Sequence, residues 1–118
     1  MRLLITAVIL VLAAAGTAFA HARLDHAIPA VGSTVAPSPK EIVLTFSSEL
    51  EPAFSSIEVI SEKGVAMQAG KANVDSANRA QLRVPLKTLA PGTYRVTWSV
   101  LSVDTHRTNG NFTFHVGR

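Results

Sequence analysis

In TYRVTWSV (Thr93–Val100), apolar Tyr94, Val96, Trp98 and Val100 alternate strictly with Arg95, Thr97 and Ser99. A period of two places alternate side chains on opposite faces of a strand, so this segment can bury one face and wet the other. GNFTFHV (Gly110–Val116) repeats the pattern with Phe112, Phe114 and Val116 inward. EIVLTF (Glu41–Phe46) follows the breaker cluster APSPK, and SSIEVIS (Ser55–Ser61) carries Ile57, Val59 and, in the opposite register, Ile60. EKG (Glu62–Gly64) reads as a turn, AQLRVPL (Ala80–Leu86) alternates Leu82 and Val84, and APGTY (Ala90–Tyr94) is a Pro-Gly turn that starts a strand. Beyond residue 20 no segment longer than a turn or two keeps helical spacing. The pattern predicts an all-β fold: an immunoglobulin-like Greek-key β-sandwich or barrel of about seven short strands. Gly64–Asn78 is polar and Ala-rich, and reads as an irregular loop or a poorly formed edge strand. With no Cys in the chain, disulfides, thiolate metal sites and cysteine nucleophiles are excluded, and packing alone must hold the fold.

The chain starts differently. Arg2 precedes the uncharged run Leu3–Ala15, and Ala18 and Ala20 supply the small residues of a cleavage pattern. Together they read as a secretory signal peptide over residues 1–20, leaving a mature domain of residues 21–118 exported to the periplasm. The run is short for a membrane span, and no later segment is long and apolar enough, so stable insertion of the mature chain is not expected. Removing Arg2 leaves ten Lys/Arg against eight Asp/Glu, a formal charge of +2. These charges are scattered singly without aromatic interleaving, which argues against nucleic acid as a partner.

Cleavage after Ala20 makes His21 the mature terminus, with an α-amine and an imidazole able to close one chelate ring. Asp104 and His106, in SVDTHRTNG between the two clearest strands, are two apart and project to one side if the backbone is extended. A solvated Asp–His pair is the commoner fate of such spacing, and a terminal His also arises from tolerant processing. The residues alone leave those readings open. Taken together, His21, Asp104 and His106 offer three nitrogens and one oxygen without sulfur. That set favours a tetragonal Cu(II) ion, with Zn(II) the natural competitor. His26 lies five residues from His21, roughly 16 Å in extended chain, too far to share the ion. His115 points away from the Phe112/Phe114/Val116 face and reads as a surface residue. Tyr94 and Trp98 read as core aromatics, and Arg107 and Thr105 as loop residues flanking the pair.

HARLDHAIPAVGS at the mature start, LTFSSEL, and PGTYRVTWSVLSVDTHRTNGNFTFHV near the end resemble the CopC family of exported copper-binding proteins. The resemblance covers about residues 21–118. It implies an immunoglobulin-like β-sandwich that is not an enzyme, holding one Cu(II) through His21, Asp104 and His106. It further implies a role in copper homeostasis or resistance, and a CopD-like membrane copper transporter as partner. Two departures stand out. Some relatives carry Glu after the Phe-Ser of the second strand, where this chain has Ser48, with Glu49 one residue later. Some carry a Met-rich loop for Cu(I), whereas the mature chain has Met67 alone, which reads as a gap-filler or loop residue. A Cu(II)-only protein is therefore expected. The rival functions are a histidine-brace copper monooxygenase, against which Asp104 would fill a position oxygen needs, and a metal-free immunoglobulin-like interaction module.

Overall fold

The structure, a computed structural model, describes residues 22–118. The segment read as a signal peptide, and His21, lie outside the described residues. Strands β1 (Leu24–Ile28), β2 (Thr34–Val35), β3 (Glu41–Phe46), β4 (Ser56–Ser61), β5 (Asn73–Val74), β6 (Gln81–Pro85), β7 (Gly92–Leu101) and β8 (Arg107–Val116) build two four-stranded sheets, with one 3₁₀ turn at Pro52–Phe54. One sheet has the order β1-β3-β6-β5, the other β2-β8-β7-β4. All pairings are antiparallel except β2 with β8. This is the expected all-β, immunoglobulin-like sandwich. Eight strands replace about seven because β2 and β5 are two residues each, too short to show a period. β5 is an edge strand inside the stretch Gly64–Asn78, as one of the two sequence readings had it.

The alternation of β7 and β8 becomes burial directly: Tyr94, Val96, Trp98 and Val100, with Phe112, Phe114 and Val116, enter the core. Ile42, Leu44, Leu82 and Val84 meet them from the other sheet. Phe46 and Trp98 join the layers edge to face, with ring centroids 5.0 Å apart. Trp98 also lies over Gly110, its cross-strand partner, where a Cβ would come within 2.7 Å of the indole. Only a residue without a side chain admits that overlap. The Tyr94 hydroxyl donates to the Ala90 carbonyl at 2.6 Å, which satisfies a buried polar tip and ties the strand to its preceding turn.

β1 obeys no simple alternation. Its register against β3 shifts between Leu24 and His26, a bulge that leaves both Asp25 and His26 exposed while Ala27 is buried. The bulge also changes which residues face inward before it: Ala22 is buried and Arg23 exposed.

Candidate metal centre

β7 and β8 are joined by Ser102–His106, in which Ser102 and His106 flank the turn Val103–Asp104–Thr105. The Ser102 N–H donates to the His106 carbonyl at 3.0 Å, and the Thr105 N–H donates to the Ser102 carbonyl at 2.8 Å. This is a three-residue hairpin turn whose last residue is left-handed: Thr105 has φ +72°. Such a conformation is costly for a β-branched side chain, by about 1–3 kcal/mol. Thr105→Gly is therefore expected to raise the thermal midpoint of the metal-free protein by a few degrees. A lower midpoint in a calorimetric scan would show that the hydrogen bond from the Thr105 hydroxyl to the Asp104 carbonyl outweighs the strain.

The hairpin is held from the side as well. The Val103 N–H donates to the Glu49 carbonyl at 3.0 Å and the Glu51 N–H to the Leu101 carbonyl at 2.8 Å, fastening the segment after β3 along it.

Within this connection Asp104 Oδ1 and His106 Nδ1 stand 3.2 Å apart. The sequence spacing did bring the two together, but by a different route than the one expected. They converge through the tight turn, not through alternation along an extended strand. Bond lengths of about 2.0–2.2 Å to nitrogen and oxygen put two adjacent ligands of one ion about 3 Å apart, so this pair can grip a single cation. Without metal the same atoms make a hydrogen bond, and ion and proton compete for the site.

Ser102, fully buried, donates its hydroxyl to Asp104 Oδ1. That bond is the largest influence on the Asp104 carboxyl and holds it below the ordinary Asp value; burial opposes it, and the hydrogen bonds and charge of His106 add to the lowering. A carboxyl depressed in this way favours the folded state above the unfolded Asp pKa, about 3.9, and that contribution fades as pH falls through the lower folded value. Side-chain carbon NMR of Asp104 is expected to titrate below the usual Asp midpoint, and Ser102→Ala to move it upward. An unmoved midpoint in the variant would assign the depression elsewhere.

The chain reaches this hairpin at its other end too. Ala22 is buried, and its carbonyl accepts the Thr108 hydroxyl at 2.8 Å, two residues along β8 from His106. The next residue is clamped to the segment after β3: the Arg23 N–H donates to Ser47 Oγ at 2.8 Å, and the Ser47 N–H to the Arg23 carbonyl at 2.9 Å.

The remaining residues singled out in the sequence stand apart. His26 is exposed on β1 opposite Thr45. His115 lies nine residues along β8 from His106, roughly 30 Å of strand, and its Nδ1 shares a hydrogen bond with the Thr93 hydroxyl at 2.9 Å. Met67 is partly buried against the core, as a gap-filler would be. Arg107 donates to the Ser99 hydroxyl across the ladder at 2.7 Å. Glu49 is exposed and meets the hairpin through its carbonyl. Among the described residues, no group of three His, Cys, Asp or Glu side chains is arranged to hold a metal.

Sequence reading missed Ser102, Thr108 and Ser47. Ser102 was within reach, since S-x-D-x-H repeats the two-residue spacing once more. Thr108 and Ser47 act on residues 86 and 24 positions away, and nothing local marks them.

The CopC domain family matches residues 24–117. Protein YobA of Escherichia coli K12 is 40% identical over 99 residues, 83% of this chain and 80% of its own. Copper resistance protein C of Xanthomonas campestris pv. juglandis is 35% identical over 123 residues, 98% of this chain and 96% of its own. Among solved structures, CopC from Methylosinus trichosporium OB3b superimposes with a TM-score of 0.77 at 34% identity, covering 82% of this chain and 94% of that one. PcoC, a methionine-rich copper resistance protein from Escherichia coli, does so with a TM-score of 0.71, also at 34% identity, covering 82% and 99%.

Proposed function

The chain belongs to the CopC family, and we propose that it is an exported Cu(II)-binding protein holding one ion through His21, Asp104 and His106. The observation that carries this reading is the 3.2 Å Asp104–His106 pair on a hairpin to which the segment before β1 is tied, through Thr108, at Ala22, the residue after His21. That bond fastens Ala22, the residue to which His21 is joined, to a position two residues after His106. The amine and imidazole of His21 complete a set of three nitrogens and one oxygen suited to Cu(II). The soft ligands that Cu(I) prefers are lacking: there is no Cys, and Met67 packs against the core. In this respect the chain departs from methionine-rich PcoC.

The mature chain buffers Cu(II) in the periplasm or passes it to a CopD-like membrane transporter. Free α-amines titrate at about 7.7–8.0 and imidazoles at about 6.5, so protons must leave before these groups can bind metal. Affinity therefore falls steeply below about pH 6.

Competition titration of Cu(II) into the mature chain is expected to give one equivalent. His106→Ala should weaken binding at least about a hundredfold, the share of one ligand in a four-ligand site worth roughly 10–16 kcal/mol. Unchanged affinity in His106→Ala would move the ion elsewhere.

A further inference from the structure

We propose that Ser102 is a positioning residue for the metal centre, acting on the ion only through Asp104. This inference rests on the copper site proposed above. Asp104 is exposed at the crown of the hairpin, with a side-chain relative accessibility of 42%. An exposed aspartate on a turn samples several rotamers, and each wrong one must be given up when an ion binds. Ser102 removes that freedom. Its side chain is fully buried beneath the turn, and its hydroxyl reaches both Asp104 Oδ1 and, at 3.2 Å, the His106 carbonyl.

The hydroxyl has a single proton, which it gives to the Asp104 carboxylate, while the His106 carbonyl is held by the Ser102 N–H. Ser102 cannot drift, because its N–H is bonded to the same His106 carbonyl and its backbone bridges to Leu50. Partners behind metal ligands fix ligand orientation in this way, and losing one typically costs 10–100-fold in affinity. Ser102→Ala removes a single oxygen and leaves the hairpin's backbone hydrogen bonds in place.

The test is a double-mutant cycle on Cu(II) affinity, using the mature chain, Ser102→Ala, Asp104→Ala and the double variant. Ser102→Ala alone is expected to weaken binding 10–100-fold and to change the Cu(II) electron paramagnetic resonance spectrum. In the Asp104→Ala background the same substitution should cost nothing further. A hydroxyl that merely stabilised the hairpin would cost the same in both backgrounds, and that result overturns the proposal. So does unchanged affinity in Ser102→Ala, which leaves the copper site standing if Asp104→Ala and His106→Ala still lose affinity. If neither of those variants loses affinity, the copper site itself is wrong and this inference falls with it.

Discussion

A methionine placed before His21 is expected to weaken Cu(II) binding at least about a hundredfold while leaving the fold intact. The extension turns the His21 amine into an amide, whose lone pair is delocalised into the carbonyl, so the nitrogen binds only if the ion displaces its proton. One of three nitrogens is lost, and with it the chelate ring that lets a single residue contribute two donors. At roughly 2.5–4 kcal/mol per ligand in a four-ligand site, the amine alone accounts for the predicted loss. Folding should be indifferent, because the described contacts at the chain start are made by Ala22 and Arg23. Removal of the extension by an aminopeptidase should restore the affinity of the mature form. Equal affinity with and without the methionine would dismiss the amine as a ligand. A chain still carrying residues 1–20 would have the same defect, so the proposed export and copper binding would be coupled without any dedicated regulator.

Phe114→Ala is expected to cost about 3–5 kcal/mol of stability, a large share of the 5–15 kcal/mol typical of a whole domain. Phe114 is completely buried on β8, its ring stacked 5.7 Å from Tyr94, in a core with no disulfide to limit the loss. For a domain of this size the thermal midpoint should fall by at least about 12 °C. Thr113→Ala, one residue away on the opposite face of the strand, should change stability by no more than about 0.5 kcal/mol.

Copper enters this prediction by mass action. An ion that binds only the folded chain, supplied at about 1,000 times its dissociation constant, adds roughly 4 kcal/mol. Saturating Cu(II) should therefore return most of the stability that Phe114→Ala removes, although Phe114 lies eight residues along the chain from His106. Melting curves followed by circular dichroism, with and without copper, check both parts. A Phe114→Ala protein no weaker than Thr113→Ala would contradict the packing account, and one that copper fails to rescue would contradict the binding account.

What the amino-acid order revealed follows from how far each interaction reaches. Strands β7 and β8 were legible because ten residues each give the period of two room to show. β1 was not, because its bulge exposes Asp25 and His26 in succession and erases the alternation. β2 and β5 exist by pairing with longer neighbours, a property of the sheet that two residues cannot display. At the candidate centre, Asp104 and His106 announced themselves by spacing and chemistry. The reason they meet was hidden: a left-handed Thr105 closes the hairpin, and a β-branched residue gives no hint of that conformation. The fastening of Ala22 by Thr108 joins the two ends of the domain, and no local pattern encodes such a contact.

Electron paramagnetic resonance of the mature protein, loaded with one equivalent of Cu(II), tests the proposed ligand set at its source. A tetragonal spectrum with hyperfine structure from three nitrogens is predicted, one nitrogen disappearing in His106→Ala and another in the methionine-extended chain. A spectrum identical in all three proteins, or one matching copper in buffer, would mean that the ion is held by other groups or not at all.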